Sequence, residues 1–312
     1  MAYRPLPGVK LPKGKLGVPD EGGTVAFQLV ARVYDKLTPA QKAAVDRAVG
    51  ARHDASSPPL RSAPTARKSE VLTPDPGLQT VVDKFAGDYA ARLPGVKPTI
   101  IAVLSDTDTS GGFLTFADAT PLNGDGQWGT GKTEFCRVRL MPAGQKFIGT
   151  KRFAPLIAHE VFHCFQFAMM DDWRRRSAWI IEGSAHWAAD QVVPLQKGDR
   201  AGAYGDYLLS PEKPLFSRSY DADGFWDRTD EVMGVGNLFA LMPAILATPN
   251  DEEAFIAARG NTLAFEDQWA SGAFRLGGAS GPAWNQLRPL PVSFNELKPP
   301  HAVFTDLSLI HI

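Results

Sequence analysis

The sequence predicts an α+β fold, rich in helix and carrying one small mixed sheet. Three observations lead there. Apolar stretches with helical spacing recur along the chain, the strongest being 154–170, which is apolar almost throughout. Strand signals are few and short: Thr99–Leu104 is a β-branched apolar run bounded by turn residues, and Phe135–Leu140 alternates. The 312 residues are 44% hydrophobic and 21% charged, an ordinary globular balance that must hide a sizeable core.

Taken in order, 24–36 and 39–49 have helical spacing, and Thr38-Pro39-Ala40 opens the second with a cap followed by proline. Residues 51–77 are rich in Ser, Pro, Ala and Arg with little periodicity and read as linker or exposed loop. An amphipathic helix follows at 78–93, ended by Pro94-Gly95. Strands are expected at Thr99–Leu104, 113–116 and Phe135–Leu140, the last two joined by a long glycine-rich connection. In Phe135–Leu140, Phe135, Arg137 and Arg139 alternate with Cys136, Val138 and Leu140, which suits one wet and one buried face. After the 154–170 helix come a polar turn at 171–176, an apolar helix at 177–193, another at 230–247, and shorter ones near 251–259 and 264–274. The pattern changes after Gly281-Pro282, where 290–304 is proline-interrupted and reads as the start of a β-rich segment. Residues 307–312 fit no turn or strand pattern and read as a non-native tail. The expected organisation is therefore an N-terminal helical segment and linker at 1–77, a core domain at 78–284, and a β segment at 285–312.

The net charge of -1 gives no electrostatic reason to expect nucleic acid or an anionic membrane as partner. No apolar run approaches the roughly 20 residues of a membrane span. The first 20 residues are rich in Pro, Gly and Lys without an apolar signal core, so nothing in them directs export. The two cysteines, Cys136 and Cys164, allow one bridge. If the 135–140 strand lies beside the 154–170 helix, that bridge would clamp the two and imply an oxidising, secreted or cell-envelope setting.

Chemistry concentrates in His159-Glu160-Val161-Phe162-His163. Residues four apart share a helix face, so His159 and His163 can present two imidazoles to one ion. Glu160 lies about 100° round the helix from His159, flanking such an ion as the general base for its water. A catalytic zinc needs a third protein ligand and an open fourth position. Glu182 and His186, four apart in the helix at 177–193, are the candidates.

On these residues the chain resembles the gluzincin metallopeptidases, the thermolysin-like clan that binds zinc with two histidines and one glutamate. The resemblance rests on H-E-x-x-H, the eighteen residues between His163 and Glu182, and the W-x-x-E-G-x-A-x-W pattern from Trp179 to Trp187. It is specific over 159–190 and loose over 99–274. It implies a zincin-like core at 78–284, zinc held by His159, His163 and Glu182, Glu160 as base, and a peptide or protein substrate. It also favours Tyr220, ahead of an aromatic-rich segment, over Tyr204 and Tyr207 as the oxyanion donor. One departure stands out: the clan usually has an acid four residues past the ligand glutamate, and here that position is His186. That leaves the group orienting the first histidine open; Asp190, one further turn along, or a backbone carbonyl could serve.

Two other readings are open. Residues 126–133 satisfy G-x-x-x-x-G-K-[ST], the phosphate-cradling loop of nucleotide hydrolases. That loop needs a strand before it and a helix after it; turn residues precede this one, and Pro142 forbids a long helix beyond it. The other is a peptidase fold retired from catalysis and used as an interaction module, which would tolerate Glu160→Gln.

Overall fold

The computed structural model describes residues 36–42, 74–106, 109–110, 113–122, 132–193, 213–233 and 237–258. The helices expected at 24–36 and 264–274, most of 39–49, the linker at 51–73, the glycine-rich loop at 123–131, Tyr204, Tyr207 and the segment at 285–312 lie outside them. At 38–41 the expected cap is present: Thr38 and Gln41 exchange backbone-to-side-chain hydrogen bonds in a capping box. The chain divides into one unit of residues 1–90 and 95–174 and another of 91–94 and 175–312.

In the first unit, helix α1 (Pro76–Arg92) starts where Asp75 Oδ1 accepts the Leu78 N–H at 2.7 Å. Leu78, Val82, Phe85 and Tyr89 form its buried stripe. A three-stranded mixed sheet follows, with β1 (Thr99–Leu104) parallel to β5 (Phe135–Leu140), and β4 (Ala117–Leu122) antiparallel to β5 on its other side. Strands β2 (Thr109–Ser110) and β3 (Phe113–Leu114) make a separate two-stranded ribbon. Thus the strand expected at 113–116 divides its residues: the ribbon takes 113–114, and the main strand begins at 117.

Strand β4 was not foreseen, because Ala-Asp-Ala-Thr-Pro-Leu carries little strand propensity. It is an outer strand, the kind of position in which a proline such as Pro121 is tolerated. Its polar residues are satisfied across the sheet. Asp118 pairs in register with Arg139 and accepts two of its N–H groups, and Thr120 faces Arg137. This corrects the expectation of a wet face on β5: Arg137 and Arg139 are both buried. Burying them is tolerable because each meets an acceptor on β4.

The outer edge of β1 is taken by α1. The Gln79 side chain accepts the Ala102 N–H and donates to the Ile100 carbonyl, while the Asp75 N–H donates to the Ala102 carbonyl. With β5 central, an extended peptide cannot add at the edge of 135–140. That strand has no free edge.

A short helix α2 (Pro142–Gln145), opened by proline at its first turn, leads to α3 (Phe153–Met169). Helix α3 packs on β4 and β5 and buries every residue from Ile157 to Met169. Cys164 on α3 is bridged to Cys136 on β5, with Cα atoms 5.5 Å apart, so the clamp exists. A disulfide is in keeping with an oxidising compartment. The Tyr89 hydroxyl donates to the Ala158 carbonyl at 3.0 Å, and its ring meets Phe162 and Phe165, fixing α1 against α3 beside His159. After α3 the 171–176 turn is less solvated than expected, since Trp173 is wholly buried against Phe167.

In the second unit, α4 (Ala178–Val192) packs against the tight turn Tyr220–Ala222 and helix α5 (Asp223–Met233). Trp179 stacks on Trp226 at 5.2 Å, and the Trp226 Nε1–H donates to the Trp179 carbonyl. Helices α6 (Leu238–Ala247) and α7 (Asp251–Ala257) complete this unit as described. The single helix expected at 230–247 is two. Asp230 then accepts the first N–H of α6, from Leu238, at 3.2 Å. No described helix is long and apolar enough to cross a membrane.

Candidate metal centre

His159 and His163 sit one turn apart in the middle of α3, on a helix whose buried residues are otherwise apolar apart from Glu160 and Gln166. Their Nε2 atoms approach to 2.9 Å with the rings perpendicular. Two imidazole nitrogens at that distance cannot both present bare lone pairs to each other, since the pairs repel. Either a proton or a cation must lie between them. His163 is fully buried and His159 is 6% exposed.

Glu182 completes a buried trio. His159, His163 and Glu182 each offer one ligand atom, and the three lie within 4.8 Å of one another. Tetrahedral zinc with bonds of about 2.0–2.1 Å places its ligand atoms about 3.4 Å apart. The 2.9 Å between the histidine nitrogens is somewhat shorter than that value, and the trio as a whole lies within 4.8 Å. The donor set of two imidazoles and one carboxylate suits a borderline metal such as zinc. This buried group could therefore hold a metal ion.

Glu160, the expected base, is fully buried on α3 next to His159 in the chain. Glu182 is fully buried on α4. The glycine after it has a packing reason: a Cβ on Gly183 would come within 2.8 Å of Ala222 Cβ and 2.9 Å of Trp226 Nε1. Only glycine lets α4 approach the 220–222 turn so closely.

His186 lies outside the trio. Its Nδ1 is 3.9 Å from Asp223 Oδ2, and its side chain is 32% exposed. The half-buried Tyr220 ring packs edge-on to His186 at 5.9 Å. Its turn is held by Asp221, which accepts from the Ser219 N–H and from Arg218. Asp190 stands with Asp223 and Asp227 in a second group whose ligand atoms also lie within 4.8 Å of one another.

Two features escaped sequence reasoning. Gln166, fully buried on α3, has its Oε1 2.7 Å from His163 Nδ1. The available signal was a lone amide three residues past a candidate ligand histidine on a largely apolar helix. The Asp190/Asp223/Asp227 group was signalled only by two acids four apart at the start of α5.

The glycine-rich stretch gains no phosphate-loop context. Lys132 is exposed, the Thr133 hydroxyl bonds the Leu122 carbonyl, and the next element is β5, a strand where such a loop requires a helix. The chain matches no protein-family model, no curated protein and no solved structure.

Proposed function

We propose that this chain is a zinc-dependent peptidase of gluzincin type that hydrolyses peptide bonds with Glu160 as general base. The observation that carries the reading is the buried His159/His163/Glu182 trio, with Glu160 beside the first of its histidines. Bound zinc would supply Lewis acidity, polarising a substrate carbonyl and lowering the pKa of water to about 7. His159 and His163 would hold the ion through Nε2 and Glu182 through a carboxylate oxygen. Glu160 takes a proton from the attacking water and delivers it to the departing amine, so one carboxylate serves as base and then acid. Tyr220 donates its hydroxyl to the oxyanion that develops on the substrate carbonyl. The substrate is a peptide or protein. Within the described three-stranded sheet, with β5 central and the edge of β1 held by Gln79, an extended chain would pair with β4. The disulfide favours a secreted or cell-envelope location.

The test is metal content paired with peptide hydrolysis, on the wild type and on Glu160→Ala. Zinc retained by both proteins, with cleavage by the wild type alone, is the expected result. Zinc in both and cleavage by neither would instead make the fold a retired peptidase serving as an interaction module.

A further inference from the structure

Resting on the metal reading above, we infer that Gln166 is a positioning residue that makes His163 a ligand by fixing its tautomer. A neutral imidazole carries one N–H and one lone pair, and only the nitrogen with the lone pair can bind a metal. The Gln166 Oε1 can only accept, and it stands 2.7 Å from His163 Nδ1, so the proton resides on Nδ1. The His163 lone pair is thereby assigned to Nε2, the atom that faces His159 Nε2 at 2.9 Å. Both side chains are fully buried on α3, three residues apart, so the bond is local to one helix and shielded from water. Histidine ligands generally need such an outer partner to hold the ring and its proton.

The choice of an amide has a charge argument behind it. Glu160 and Glu182 are both fully buried. A divalent cation with two neutral imidazoles balances those two carboxylates. A third carboxylate at 166 would leave an uncompensated charge inside the protein, whereas glutamine accepts the proton without adding one. The acid that the gluzincin pattern places four residues past the ligand glutamate is His186 here. In this chain Gln166 serves the second histidine as an outer partner, from its own helix.

Two measurements on the full-length chain test this. The first is zinc affinity by competition with a chromophoric chelator. The second is the His163 tautomer in the metal-free protein, read from long-range ¹H–¹⁵N correlations of the imidazole. In the wild type we expect the Nδ1–H tautomer. Gln166→Met, similar in length but without the acceptor, should lose that tautomer and weaken zinc binding by about 10–100-fold. Gln166→Glu keeps an acceptor and should keep the Nδ1–H tautomer, at a cost in stability from the added buried charge; loss of that tautomer in this variant would overturn the inference. An Nε2–H tautomer in the wild type overturns the inference, whether or not zinc binds. So does wild-type affinity and an unchanged tautomer in Gln166→Met. A wild type with the Nδ1–H tautomer that binds no zinc would sink the metal reading and, with it, the assignment of Gln166 to a ligand.

Discussion

Severing the Cys136–Cys164 bridge should cost this protein a large part of its stability. The bond joins the strand at the centre of the sheet to the helix carrying both candidate histidines, and it spans 28 residues of sequence. In the chain-entropy treatment a loop of that length removes about 12 cal/mol/K from the unfolded ensemble, or about 3.6 kcal/mol at 25 °C. Domains are commonly stable by only about 5–15 kcal/mol, so the loss is a quarter of the total or more. The cysteines are 1% and 0% exposed, which keeps reductant out of the folded protein. Dithiothreitol alone should therefore leave the bond intact until denaturant opens the fold. The clean perturbation is the Cys136→Ala/Cys164→Ala double variant, compared with the oxidised wild type by urea titration. A drop in unfolding free energy of about 3–4 kcal/mol is expected. Adding zinc at a hundredfold excess over its Kd should return about 2.7 kcal/mol. A loss under about 1 kcal/mol would refute the reasoning, since it would mean that the sheet and α3 associate equally well without the tether.

Other outcomes follow from single contacts. Gly183→Ala should destabilise by about 1–3 kcal/mol through overpacking against Ala222 and Trp226, even though helix propensity alone would stabilise by about 1 kcal/mol; a raised melting temperature would show that the close approach of α4 to the 220–222 turn is not real. Asp118→Ala should cost about 3–5 kcal/mol by stranding the buried Arg139 guanidinium, and Asp118→Leu with Arg139→Met should recover most of it. A double variant no better than Asp118→Ala would put the cost in the fold of β4 and not in the charge. Tyr220→Phe should lower kcat by about 10²–10³ with little change in KM if its hydroxyl meets the developing oxyanion. An unchanged kcat would return Tyr220 to a packing role beside His186.

What could be read from sequence was whatever local periodicity encodes. The buried α3 and α4 declare themselves by continuous apolar residues, and their observed ends fall within about one residue of expectation, the usual play at frayed termini. Strands β1 and β5 matched because each is flanked by turn residues. Gly95, with φ of 90°, stops the chain after α1 in the left-handed conformation that glycine adopts readily. Strand β4 was hidden because its identity is set by partners elsewhere in the chain: Asp118 and Thr120 look like loop residues until Arg139 and Arg137 are placed opposite them. The same arginines seemed to mark a wet face for the same reason. At the site, the ligand spacing was legible since helical geometry is local. The role of Gln166 was not, because it depends on which end of an amide meets which nitrogen of a ring.

The central claim is that His159, His163 and Glu182 hold one cation together. Zinc-edge anomalous scattering from crystals of the zinc-loaded protein tests it most directly. The account predicts one strong peak about 2.0–2.2 Å from His159 Nε2, His163 Nε2 and a Glu182 carboxylate oxygen. A map with no peak there, or with the ion seated only among Asp190, Asp223 and Asp227, would contradict it.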